Sequence, residues 1–169
     1  MSSSGSGAAR TQRRRTSEIV TVAVAVAALD QLSKWQVEKA FQLGESVRVA
    51  GDFLRLTYVR NPGVAFGLFA DLAWRWRLPF FIATLLIAAW LLYKLYRLCG
   101  GLVLARLSFG LIAGGAVGNM IDRMRCGMVV DFIDAGLGPY RFATFNVADS
   151  AISVGTVILL YSLWRTRHL

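Results

Sequence analysis

The sequence predicts an all-α membrane protein, four transmembrane helices with a small β-sheet lying outside the bilayer. Three observations carry that prediction. Of 169 residues, 56% are hydrophobic and only 17% charged, whereas roughly 45–50% apolar is usual for a soluble domain even with glycine counted. The apolar residues gather in runs, and about 20 such residues of helix are enough to cross a hydrocarbon core of about 30 Å. The basic residues behind the +9 net charge stand mostly at the ends of those runs. In a soluble chain that charge would point to nucleic acid. At span ends it points to anionic lipid, so membrane lipids, and no nucleic acid, are the expected partners.

Residues 1–15 read as a basic, low-complexity extension that is disordered, and residues 16–169 as a single four-helix domain. The first span covers roughly residues 19–35. Its purely apolar core, following Arg13, Arg14 and Arg15, also has the form of a cleavable signal peptide. The continuation Asp30-Gln31-Leu32-Ser33-Lys34-Trp35 reads as a helix end and favours a span. In the loop beyond it, residues 46–49 and 53–59 alternate well enough to predict two short strands around Gly51-Asp52. A turn-rich segment from Arg60 to Gly67 comes next.

The remaining spans cover roughly residues 78–98, 102–121 and 145–164. On the third, Gly110, Gly114 and Gly118 recur every four residues, the small face that lets membrane helices approach closely. Basic residues before span one (Arg10, Arg13, Arg14, Arg15), between spans two and three (Lys94, Arg97, Arg106) and after span four (Arg165, Arg167) share one side, which predicts cytoplasmic termini.

The informative residues are the acids. Arg15 to Asp30 is fifteen residues, and Arg106 to Asp122 and Asp149 to Arg165 are sixteen each. At 1.5 Å per residue, each carboxylate stands about 22–24 Å from a cytoplasmic anchor. Three helices thus carry an acid at one level near the outer surface. An ionisable residue in a span is costly and by default marks function. Bland readings exist beside the functional one. Asp30 and Lys34 could form an interfacial ion pair, and Asp122 with Arg123 could close a helix end. Asp149 has no charged neighbour in the fourteen residues after it. Asn146, three residues before it, shares its helix face. Asp131 and Asp134 lie in a strand-like or helix-extending segment after Gly127, and depth alone favours Asp122 as readily as Asp131.

His168, the one histidine, lies at the far end of the chain, so neither a histidine relay nor a His/Cys zinc site is available at the acidic level. Cys99 and Cys126 fall near opposite faces, too far apart for a disulfide. Carboxylates alone leave two options: a pair sharing a proton and activating water, or a cation relay in a transporter. The apolar cytoplasmic halves of the spans, and the lack of an inverted repeat, argue against the relay.

Several motifs, in order, then resemble those of the lipoprotein signal peptidases (signal peptidase II), bacterial membrane aspartyl proteases. Asp30-Gln31-x-x-Lys34 is similar to the first, and Asn61-x-Gly63-x-Ala65-Phe66 to the second. Gly114-Gly115-Ala116-x-Gly118-Asn119-x-x-Asp122-Arg123, followed by Val129-Val130-Asp131-Phe132, is similar to the third. Phe145-Asn146-x-Ala148-Asp149-Ser150 is similar to the last. Val64 departs from the alanine usual in the family.

The resemblance implies Asp131 and Asp149 as the catalytic pair. Asn119, Arg123 and Asn146 would line their pocket, and Asp30, Lys34, Asn61, Gly63, Phe66 and Asp122 would support it or face substrate. It also implies a β-cradle, a short loop or helix over the site, no metal and no cofactor. The expected substrate is a prolipoprotein with diacylglycerol on a cysteine, cut just before that cysteine by a monomer in the bacterial inner membrane.

Overall fold

The computed structural model describes residues 3–62 and 74–167. The first helix, α1, runs Ser3–Ala40 and leads into β1 (Ser46–Ala50) and β2 (Leu54–Asn61). Helices α2 (Trp74–Cys99) and α3 (Val103–Cys126) come next, then β3 (Val129–Leu137), β4 (Tyr140–Arg141) and α4 (Val147–Arg167). All four helices are long and apolar enough to cross a membrane. Their chain order makes a bundle with the strands gathered at one end and the α2–α3 turn at the other.

Two expectations change. Where disorder was expected in residues 1–15, the structure has helix from Ser3, continuous with the span. The Thr11 and Thr16 hydroxyls donate to the carbonyls of Gly7 and Gln12, four residues back, and nothing in the segment forces a helix end before the apolar run. The sheet is also larger than the two predicted strands. Among the described residues it has four, ordered β1-β2-β3-β4 and antiparallel throughout. The segment after Gly127 supplies β3, because Gly127 takes φ +74° and caps α3, donating its N–H to the Arg123 carbonyl. A left-handed residue there ends the helix and turns the chain back.

Helix α3 is the centre of the bundle, with α1 and α4 packed closely on it. Its glycines permit this. A Cβ on Gly114 would lie 2.6 Å from the Ala23 carbonyl oxygen of α1, and one on Gly115 would overlap the Ala148 carbonyl of α4. Large apolar side chains such as Leu86, Ile87, Trp90 and Val157 face outward, as a lipid-facing surface requires.

Two apolar clusters are buried. Val37, Tyr58, Val130 and Phe132 join α1 to the sheet, and Cys99, Ala105, Phe109 and Leu159 close the other end. Between them lies a buried polar layer: Asp30, Lys34, Asn119, Asp122, Asp131 and Asn146.

Candidate active site

Lys34 is the hub of the layer. It is 2% exposed, and its ammonium lies 2.7 Å from Asp30 Oδ2 and 2.8 Å from Asp122 Oδ2, acids that are themselves 0% and 2% exposed. It also donates to Asn119 Oδ1 at 3.1 Å. One cation between two carboxylates leaves acceptor capacity on both that needs further donors, and backbone supplies one to each. The Ala148 N–H donates to Asp30 Oδ1 at 2.9 Å, and the Val130 N–H to Asp122 Oδ2 at 3.2 Å. Asp30 therefore pins the start of α4 and Asp122 the start of β3.

The Asp30–Lys34 pair does exist, but it is sealed inside the bundle and not at an interface. Asp122 turns inward to Lys34 instead of closing a helix end with Arg123.

A second set of bonds grows from this scaffold. The Asn119 Nδ2 donates to Asp149 Oδ1 at 2.8 Å. The Asn146 Nδ2 donates to Asp131 Oδ1 at 2.7 Å, to Asn119 Oδ1 at 3.1 Å and to the Val130 carbonyl at 3.3 Å. From β2, Asn61 Nδ2 donates to Asp131 Oδ2 at 3.2 Å. The two amides thus link Asp131, on β3, to Asp149, on α4.

Asn146 and Asp149 also form a reciprocal cap at the start of α4. The Asp149 N–H donates to Asn146 Oδ1 at 2.9 Å, and the Asn146 N–H to Asp149 Oδ2 at 3.3 Å. This is the arrangement of a capping box, with asparagine and aspartate in the N-cap and N3 places. It explains why α4 begins at Val147 and not at Phe145 as expected; Phe145 pairs with Ile133 as an isolated bridge on β3.

Burial pushes the Asp131 carboxyl up to about 6 from the usual 3.8. Hydrogen bonds from Asn61 and Asn146 and the Lys34 charge work against that rise, while the Asp149 charge adds to it. A raised carboxyl beside a second carboxylate is the condition for a shared proton. Asp149 is half-buried, so the pair opens to one side of the bundle. Arg123 stands beside it, donating to the Asn119 carbonyl at 3.2 Å, its guanidinium 4.2 Å from the centre of the Phe81 ring.

The signal peptidase (SPase) II family model matches residues 22–165, and every bond of the polar layer falls inside that stretch. The chain belongs to the signal peptidase II family. It is therefore a peptidase. Curated lipoprotein signal peptidases resemble it closely. That of Syntrophotalea carbinolica is 44% identical over 151 residues, covering 87% of this chain and 91% of its own. That of Moorella thermoacetica is 44% identical over 143 residues, covering 84% and 89%. A solved bacterial membrane enzyme superposes with a TM-score of 0.73 at 31% identity, covering 86% of this chain and 91% of that one.

Within this signal peptidase II chain, the structure brings together Asp30, Lys34, Asn61, Asn119, Asp122, Asp131, Asn146 and Asp149, with Arg123 alongside. Gly63, Phe66 and the loop expected over the site lie outside the described residues. Asp134, two strand positions beyond Phe132 on β3, is held by side chains of the sheet. Arg141 Nε holds its Oδ1 at 2.7 Å, and the Thr57 hydroxyl donates to its Oδ2 at 3.3 Å.

Sequence reasoning did not single out two participants. Gln31 donates to Asp122 Oδ1 at 2.9 Å, to the Gly118 carbonyl at 3.1 Å and to Asp30 Oδ2 at 3.3 Å. Glu38 ties α1 to β2 through Arg60 at 3.5 Å and to α3 through Arg125 at 2.5 Å. Gln31 was visible in its motif, and Glu38 sits four residues beyond Lys34 on the same helix face.

Proposed function

We propose that this peptidase removes signal peptides from prolipoproteins carrying diacylglycerol on a cysteine, cutting just before that cysteine with Asp131 and Asp149. The observation that carries the assignment is the amide bridge. Asn119 and Asn146 hold one oxygen of each carboxylate and connect the two through a single hydrogen-bonded chain.

Asp131, the carboxyl pushed up to about 6, is the proton holder. Asp149 accepts from the Asn119 amide and from the Asn146 N–H at the positive end of α4, and is the base. A water between them loses a proton to Asp149 as its oxygen attacks the scissile carbonyl carbon. The carbonyl oxygen takes the Asp131 proton, giving a neutral tetrahedral diol. Its collapse breaks the C–N bond, with the Asp149 proton passing to the leaving amine and a diol proton returning to Asp131. Both carboxyls end as they began.

The acyl chains of the substrate fix the scissile bond at one height, the level at which the polar layer sits below the sheet. This reading puts the sheet on the extracytoplasmic side of the bacterial inner membrane and both termini in the cytoplasm, with the chain acting as a monomer. A cation relay has less support. Among the described residues, Ser108, buried below the layer, spends its hydroxyl on the Ala105 carbonyl, and the next buried charge is Arg106, on Glu18 at the far end.

The test is cleavage of a fluorogenic, diacylglyceryl-modified prolipoprotein peptide by purified protein, with the unlipidated peptide as control. Cleavage of the lipidated peptide alone, abolished by Asp131→Asn and by Asp149→Asn in proteins that still insert into membranes, is the expected result. Full activity in either variant discards the pair.

A further inference from the structure

At the end of the bundle away from the carboxylates, two cavities share a wall. Helices α1 and α2 both pack on α3 but hardly touch one another, so a cleft runs between them. Toward the helix ends it widens into a cavity of about 210 Å³ lined by Gln12, Arg15, Tyr96, Arg97, Gly100 and Gly101. Deeper in, an apolar groove of about 270 Å³ lies between Ile19, Ala89, Leu92, Tyr93, Phe109 and Ala113. Tyr96 lines both. Its hydroxyl accepts from Gln12 Nε2 at 3.1 Å on the polar side, while its ring packs edge-on against Phe109 on the apolar side. The slot has a polar mouth and a greasy interior.

Among the described residues, the mouth is positively charged and uncompensated. Glu18, the acid nearest in sequence, is taken by Arg14 at 3.3 Å and Arg106 at 2.7 Å. Among the described residues, no carboxylate pairs with Arg15 or Arg97; Arg97 donates to the neutral Tyr93 hydroxyl at 3.2 Å. Ile19 lies one turn inward of Arg15, and Tyr93 one turn inward of Arg97. An anion on the guanidiniums therefore stands about 5–6 Å, one helical turn, above the start of the groove.

We propose that this slot holds one anionic phospholipid from the leaflet at this end of the bundle. Its phosphate lies between Arg15 and Arg97 and an acyl chain follows the groove past Tyr96 and Phe109, adding to the contact that Gln12 and Tyr96 make between α1 and α2. Charge complementarity selects the occupant. A zwitterionic headgroup would bring its own cation against two arginines, and the basic start of a signal peptide would be repelled. The inference rests on the chain spanning a membrane and not on the assignment of Asp131 and Asp149.

The experiment uses full-length protein in neutral detergent. Native mass spectrometry and the thermal unfolding midpoint are read as phosphatidylglycerol, phosphatidylcholine or inorganic phosphate is added. One retained phosphatidylglycerol per chain and a raised midpoint are expected with phosphatidylglycerol only. Arg15→Gln and Arg97→Gln should each weaken its apparent affinity about fivefold. Ala89→Trp should block retention by filling the groove while leaving both arginines in place; circular dichroism verifies the fold of each variant. Equal stabilisation by phosphatidylcholine overturns the proposal, as does inorganic phosphate acting as well alone, which marks a simple anion site. Unchanged affinity in both arginine variants also overturns it, and the wild-type lipid comparison stands whether or not a variant folds.

Discussion

Lys34 donates to Asn119 Oδ1 at 3.1 Å, and that bond decides which end of the Asn119 carboxamide faces Asp149. With its oxygen held by an ammonium, Asn119 can present only its NH2 group to the carboxylate. A residue on α1 thereby orients a donor on α3 toward an acid on α4. The polar layer works as one unit for this reason, and its parts respond differently to substitution.

Lys34→Met removes the one cation between Asp30 and Asp122, both buried. Breaking a buried ion pair from one side costs about 3–5 kcal/mol. Thermal unfolding in detergent is expected to show a large loss of stability, accompanied by loss of cleavage. A variant as stable as the parent would mean that the two acids do not depend on Lys34 for their charge.

The role proposed for Asp131 predicts a pH profile. If it must hold the proton, kcat/KM falls as pH rises through about 6. Asn61→Ala removes a bond that opposes the rise, so the limb should move to higher pH; a shift to lower pH contradicts the assignment. Stability has its own sign. The folded-state value lies above the ordinary 3.8, so Asp131 favours the fold while protonated. That contribution is complete below 3.8 and is lost as pH rises through about 6. Asp131→Asn should remove this part of the pH dependence of unfolding.

Asn146 has two jobs that one substitution separates. Serine caps a helix about as well as asparagine, but its hydroxyl is too short to bridge Asp131 and Asn119. Asn146→Ser should leave α4 capped and lose cleavage by at least about tenfold, below the 10²–10⁴-fold that positioned proton transfer contributes in full. Nearly full activity would show that the bridge from Asn146 to Asp131 is dispensable.

Gly115→Ala places a methyl against the Ala148 carbonyl, which is backbone and cannot rotate away. Helices α3 and α4 must then separate near Asn119 and Asp149. The expected cost is about 1–3 kcal/mol, as for other overpacked contacts. Cleavage should fall with it, measured beside the unfolding midpoint.

Much of this protein is legible along the chain because a bilayer imposes simple rules. The spans announce themselves by length and hydropathy, the glycine face of α3 by its period, and Asp30, Asp122 and Asp149 by equal distance from basic anchors. Helical rise is uniform, so counting residues gives depth. The prediction fell short where local order depends on contacts with neighbouring segments: the helical residues before Arg15, the start of α4, the choice between strand and helix after Gly127, and the fourth strand.

By itself, the sequence determined the class, the spans and the level of the carboxylates. Motif resemblance added the family and selected Asp131, which depth alone could not separate from Asp122. Only the tertiary structure decided what each acid does. It sends Asp122 and Asp30 inward to Lys34 and to the backbone of β3 and α4, it pairs Asp134 with Arg141, and it leaves Asp131 and Asp149 joined by two amides. The physical reason is that a carboxylate's role is set by the donors around it. Here those donors come from α1, β2, β3, α3 and α4, segments up to 118 residues apart in the chain, as between Asp30 and Ala148.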